Sequence, residues 1–301
     1  MSLPKNLVLY HYCSLSTFKS IFENNSIWLS DILKSNDYDE LKWLNKRYQI
    51  FLAKAYHQIK ESVGLDGEDL YQIMSVNDAV LELSPVKAWC FCLSEEGDLL
   101  SQWRGYAEDG CGISIGFNSS CFENVYNECM TKRVPFLFDF KKISYGEEAA
   151  KEFFKKELNI SSLSSKEEII SYLQQGALAV ALGSCFFKSD SFEEEKEWRL
   201  AINVLNDPKS MAVDYKKMFK DSFSTLAFNL NDFSYISRKD DLISHIEIKF
   251  PAISAVVSQI IIGPKSKLNE RDIRSFLLSL EGFDKENIDS IKIVKSKASY
   301  R

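Results

Sequence analysis

Glu193, Glu194, Glu195 and Glu197 crowd into the stretch F-E-E-E-K-E-W-R-L-A-I-N-V, residues 192–204, with Lys188 shortly before it and Arg199 within it. Beyond Glu197 the residue types change. Leu200, Ala201, Ile202 and Val204 are apolar or β-branched, the pattern of a strand entering a core. Glu197 is thereby expected at the mouth of that strand, where a carboxylate held by the sheet behind it stabilises developing positive charge or orients a nucleophile. Glu194, three residues earlier, is the alternative working carboxylate. Glu-Lys-Glu-x-Arg runs also make solvated, salt-bridged surface, so the rest of the chain must decide between the two readings.

Three other clusters collect polar and aromatic groups. His11 stands between Tyr10 and Tyr12 on an expected first strand, where it can serve structurally or bind a ribose or amide. Ser30 to Glu40 contains Asn36-Asp37, a turn signal that also supplies polar contacts. Ser94 is followed by Trp103-Arg104-Gly105-Tyr106, with aromatics spaced to fill a core and Arg104 between them as a stacking or phosphate-clamping group. Several motifs fail on context. Gly110-Cys111-Gly112 with Gly116 has the wrong spacing for a dinucleotide fingerprint and precedes a strand, and Gly263-Pro264-Lys265-Ser266 lacks the spacing of a phosphate loop. With three histidines, a Ser-His-Asp triad or a histidine-rich metal site has little material, and no metal is expected.

Elements that would position these groups follow from periodicity. Leu7 to Cys13 reads as a strand, followed by a helix capped by Ser14 or Ser16 and stopped at Asn24-Asn25. Ile27 to Ser30 is a short strand. Long helices follow to about Leu83, broken at Gly64 and Gly67. Val86 to Leu93 and Ile113 to Phe117 read as strands separated by a short helix over Asp98 to Ala107. A helix around Phe122 to Cys129, strands between Val134 and Tyr145, and helices from Glu147 and Ser165 lead back to the acidic stretch. The last third offers strands at Ile246 to Phe250 and Ile260 to Ile262, a helix from Asn269 to Leu280 and a closing strand from Ile288 to Val294. The expected class is α+β, one domain over 1–301 with a split, mostly antiparallel sheet and helical insertions near 39–83 and 147–185.

Composition narrows the function. The 301 residues carry 45% hydrophobic side chains, enough for a substantial core, and a formal net charge of -6 that argues against a generally basic nucleic-acid surface. The longest apolar run, Ala177 to Phe187, falls short of the roughly 20 residues that span a bilayer, so a cytoplasmic protein without membrane contact is the expectation. Seven cysteines, one C-x-C at Cys90 and Cys92 and no C-x-x-C fit buried reduced thiols better than disulfides or zinc.

Taken together, L-Y-H-Y-C-S, N-D-Y-D-E, C-F-C-L-S, L-S-Q-W-R-G-Y-A, I-S-I-G-F and E-K-E-W-R resemble an uncharacterised bacterial domain-of-unknown-function family across roughly Leu9 to Leu200. That family has threonine and proline where this chain has Cys13 and Tyr38. It in turn distantly resembles ADP-ribosyltransferases of the DNA-targeting toxin type. The resemblance implies NAD as co-substrate and Glu197 as the catalytic residue. It also implies His11, Tyr12, Ser94, Trp103 and Tyr106 as NAD-binding residues, with Trp103 or Tyr106 stacking on nicotinamide. Asn36, Arg104 and Arg199 would contact phosphate or acceptor. RNA or single-stranded DNA is the implied acceptor, in a toxin or phage-defence effector restrained by an antitoxin partner. A non-catalytic nucleotide- or protein-binding module and an NAD glycohydrolase are the alternatives.

Overall fold

The computed structural model describes residues 7–34, 40–82, 86–132, 137–158, 165–205, 230–238 and 241–300. The chain opens with β1 (Val8–Cys13), α1 (Leu15–Asn24) and β2 (Ser26–Asp31), then α2 (Glu40–Val63) and α3 (Gly67–Glu82). β3 (Val86–Ser94), α4 (Leu100–Tyr106), β4 (Ile113–Asn118) and α5 (Ser120–Lys132) follow. Next come β5 (Leu137–Lys142), β6 (Ser144–Tyr145), α6 (Gly146–Glu157), α7 (Lys166–Gly183), β7 (Phe187–Lys188) and β8 (Glu197–Leu205). The last part holds β9 (Leu230–Arg238), β10 (Asp241–Lys249), β11 (Val257–Ile262), α8 (Glu270–Leu278), α9 (Lys285–Ser290) and β12 (Lys292–Lys295).

Local chemistry accounts for the boundaries. Ser14 caps α1 by accepting from the Thr17 amide, and Asn25 ends that helix in the left-handed conformation at φ 51°. Asn269 and Asp284 open α8 and α9 with reciprocal capping boxes. The second of these corrects a sequence expectation. The stretch read as a strand from Ile288 is helical until Ser290, and the strand is only Lys292–Lys295. β9 is a strand that sequence reading had not placed.

Among the described residues ten strands form one sheet, antiparallel except for the β11/β12 pair; β6 and β7 make a separate parallel pair. One face carries Leu9, Ile27, Leu29, Trp89, Phe91, Ile115, Leu200 and Ile202 and packs against α1, α5, α8 and α9. The opposite face carries Ala88, Cys90 and Ala201 and packs against a layer of α2, α3, α6 and α7. The two sequence-distant segments expected as insertions thus build one helical layer. By length and composition, Lys166–Phe186 is the one membrane-capable helix among the described residues, and half of its apolar window is buried in this layer.

The sheet is split beside β3. One edge of β3 pairs with β8 along its whole length, from Val86 opposite Leu205 to Ser94 opposite Glu197. The other edge is shared. β1 meets it at Tyr10 opposite Ser94, whereas β2 meets it at Ser30 opposite Cys90 and Asp31 opposite Trp89. β1 and β2 therefore diverge over Phe91 to Leu93, and a cleft opens there.

The glycines of G-C-G serve packing in this fold. A Cβ on Gly112 would stand 2.2 Å from the Cys13 carbonyl oxygen and 3.0 Å from that of Ala107. Both contacts are with backbone, so no side chain can move to relieve them. Gly112→Ala is expected to cost at least about 2–3 kcal/mol in urea unfolding; a loss below about 1 kcal/mol would show that β1 and β4 separate without strain.

Candidate functional site

The cleft at the split has a volume of about 490 Å³, within the range of small-molecule sites. His11 forms part of its floor, Tyr106 and Cys92 one side, Trp28 the other, and the hydroxyls of Ser16, Thr17 and Ser20 project from α1. Trp28 is stacked on His245 with ring centroids 3.9 Å apart, so a flat, partly exposed aromatic surface is held in place beside the opening.

His11 substitutes for a missing strand contact. Its Nδ1 lies 2.9 Å from the Cys92 carbonyl oxygen across the split, and its ring stacks on Phe91 at 4.2 Å. A carbonyl only accepts, so Nδ1 carries the hydrogen and Nε2 is an acceptor available to a ligand hydroxyl. Burial pulls the imidazole pKa down to about 4, against an upward pull from the Cys92 carbonyl. The ring is therefore neutral at physiological pH. Between the unfolded pKa of about 6.5 and the folded value, the unfolded chain binds more protons, so His11's contribution is complete above pH 6.5 and lost on acidification towards pH 4. Allowing for partial exposure of the ring, the expected loss is about 1–2 kcal/mol. A His11→Gln chain should lack that component when urea midpoints at the two pH values are compared; an unchanged pH slope would remove His11 as its cause.

Behind Tyr106 lies a buried chain of charges. The Tyr106 hydroxyl donates to Glu195 Oε1 at 3.2 Å, and Lys188 Nζ sits 2.8 Å from Glu195 Oε2 and 2.7 Å from Glu197 Oε2. Arg199 closes the chain with Nε at 2.6 Å and Nη2 at 3.0 Å from the two Glu197 oxygens, while its Nη1 donates to the Cys185 carbonyl at 2.6 Å. Burial alone would raise the Glu197 pKa, but the charges and hydrogen bonds of Arg199 and Lys188 outweigh it and hold the carboxyl down at about 2. Glu197 is thus a fixed negative charge. Its acceptor sites are three-quarters filled, since a carboxylate offers about four and three donors are already present.

Local backbone sets this convergence. Asp190–Glu195 forms a 3₁₀ turn, and Lys196 adopts the left-handed conformation at φ 44°, which brings Glu195 and Glu197 to one cation although they are two residues apart. The Tyr145 hydroxyl accepts from the Glu197 amide at 2.8 Å. Ser94 Oγ donates to the Glu195 carbonyl at 2.7 Å and fixes the turn from the β3 side.

Of the residues expected at the site, His11 and Tyr106 line the cleft. Glu197, Ser94 and Arg199 form or brace the buried charge chain. Three others have different surroundings. Tyr12 is buried with its hydroxyl between the Glu96 carbonyl and the Leu99 amide. Trp103 is fully buried, donates to Asp98 and packs edge-on to Tyr12, so it has no face left for nicotinamide. Arg104 lies over the Tyr300 ring at 4.7 Å, outside the cleft lining. Asn36 lies outside the described residues. Glu194 is exposed, whereas its neighbour Glu195 is buried and engaged. Sequence reading placed Glu195 in the acidic cluster without singling it out, since it is one of four glutamates that look alike in sequence, and did not point to Trp28 or Tyr145 as members of the candidate site.

One comparison with known families covers the whole of this charge chain. Residues 102–200 match a family described as protein of unknown function (DUF2971). The match takes in Tyr106, Tyr145, Lys188, Glu195, Glu197 and Arg199 and ends inside β8, while His11 and Trp28 precede it. No curated protein and no solved structure matches the chain. No cluster of three or more metal-ligating side chains occurs among the described residues. Cys13, Cys90, Cys92, Cys111, Cys121 and Cys185 are all free thiols.

Proposed function

We propose that the chain is an ADP-ribosyltransferase-like enzyme that takes NAD as co-substrate and RNA or single-stranded DNA as acceptor. The observation that carries this reading is the split-sheet cleft, with a neutral histidine acceptor in its floor and an ionised carboxylate at the mouth of β8 behind one wall. Breaking the nicotinamide–ribose bond develops positive charge on the ribose, and a fixed carboxylate stabilises that charge without reorganisation. His11 Nε2 would accept from a ribose hydroxyl, Tyr106 would flank the nicotinamide, and Glu197 would use its remaining acceptor site on the same ribose.

Tyr106 lines the cleft and donates to Glu195, whose cation Lys188 also holds Glu197. Its 3.2 Å bond to Glu195 is longer than an ordinary O–H···O bond of about 2.7–2.8 Å, so a ligand displaces it at small cost. The deciding experiment supplies labelled NAD with separate RNA, single-stranded DNA and protein fractions, and runs Glu197→Gln alongside. Label in a nucleic-acid fraction that disappears with the variant supports the reading. Nicotinamide release without a labelled fraction would make the chain an NAD glycohydrolase. Neither label nor nicotinamide from folded protein would leave a binding module.

A further inference from the structure

A second concave surface lies on the helical layer, between α2 and α6. It is an open groove of about 480 Å³ whose floor is Ile50, Phe51, Ala55, Ala150, Phe154 and Leu158. Ile50 is 57% exposed and gives this apolar strip a solvent-facing member. Both helices contribute lining positions across about three turns, residues 47–58 and 147–158, which corresponds to about 17 Å of helix axis. The two alanines keep the floor low enough for a backbone to approach.

The rim is cationic in a chain whose formal net charge is -6. Arg47, Lys54, Lys151 and Lys155 line the groove against a single carboxylate, Glu147. Arg47 is 3.5 Å from Glu147 and Lys151 pairs with Glu148. Lys155 also interacts electrostatically with Glu148, so the four cations of the rim face two carboxylates, Glu147 and Glu148. An apolar floor flanked by cations in excess of carboxylates is complementary to a helix bearing an apolar stripe bordered by carboxylates. An acyl chain fits less well, because the groove is open along its length and would leave one side of the chain in water. Nor is the chain's own segment 206–229 acidic in composition, since Lys209, Lys216, Lys217 and Lys220 outnumber its acidic residues Asp207, Asp214 and Asp221.

We infer that the α2/α6 groove docks an acidic amphipathic helix of a partner protein, which would pack along α2 and α6 as a third helix. The probe is a fluorescein-labelled synthetic helix with leucines at i, i+4, i+7 and i+11 and glutamates on both flanks, titrated with the full chain by anisotropy. Two control peptides carry lysine flanks or a scrambled order. The acidic peptide should bind in the micromolar range and weaken at least about tenfold between roughly 50 mM and 300 mM salt. The double variant Lys54→Glu/Lys155→Glu should weaken it by a similar factor, and Ile50→Asp should abolish it; circular dichroism establishes that both variants are folded. Equal binding of the lysine-flanked peptide, binding unaffected by these substitutions, or no binding of the acidic peptide would overturn the inference. So would displacement of the peptide by dodecanoate at lower concentration than by unlabelled peptide, or a sedimentation mass showing that a second copy of this chain occupies the groove.

Discussion

Arg199→Leu is expected to lower stability at pH 7 by about 3–5 kcal/mol, the range for removing one partner of a buried ion pair. Arg199 is 1% exposed, and its hydrogen bonds include two to Glu197 and one to the Cys185 carbonyl. Without it, Glu197 keeps Lys188 as its remaining cation, while Lys188 is shared with Glu195. The buried negative charge then exceeds the positive, and the Cys185 carbonyl loses a donor as well. Acid should narrow the difference between variant and parent. In the parent, the depressed Glu197 pKa makes a contribution that is complete above about pH 4.5 and is lost as pH falls towards 2. In the variant the carboxyl protonates at higher pH, which removes the uncompensated charge and part of the penalty. A second substitution, Glu197→Gln, should recover part of the loss at neutral pH for the same reason. Urea unfolding of the four chains at pH 7 and pH 4 measures each step; a single-variant loss below about 1 kcal/mol would mean that water reaches Glu197 and solvates it.

Much of the scaffold follows from local pattern. The alternation of Ile113, Ile115 and Phe117 predicts β4, and Ser14 and Asn25 mark both ends of α1, because caps and strand faces are written in a few neighbouring residues. Where periodicity is ambiguous, reading failed. Ile288, Ile291 and Ile293 suit either a strand or the end of a helix, and the Asp284/Asn287 capping box decides for helix over Lys285–Ser290. The site was legible only in part. His11 could be picked out by its type and position on β1, and Glu197 by the change from charged to apolar residues. Glu195 could not be separated from Glu193 and Glu194, because the 3₁₀ turn and the left-handed Lys196 decide which glutamate points inward. Trp103 and Arg104 lie in the expected helix, but the tail residue Tyr300 and the Asp98 carboxylate, distant in sequence or across a turn, take the contacts that sequence reading assigned to a ligand.

The proposed reaction makes its largest demand on the carboxylates, and their different surroundings separate their roles. Glu197→Gln should reduce kcat for nicotinamide release by at least about 100-fold, the scale for losing one preorganised electrostatic group. Because a neutral amide beside Arg199 and Lys188 leaves two buried cations facing Glu195 alone, part of any loss could come from an altered fold. The measurement therefore pairs kcat with a urea midpoint and with NAD affinity, and a catalytic role requires kcat to fall while affinity stays within about threefold. Glu195→Gln is expected to act differently. It keeps an acceptor for Tyr106 but removes the charge nearest the cleft lining, so its effect should be smaller on nicotinamide release and larger on transfer to the nucleic-acid acceptor. If Glu195→Gln abolishes release while Glu197→Gln keeps it, the catalytic carboxylate is Glu195, and Glu197 with Arg199 positions it through Lys188.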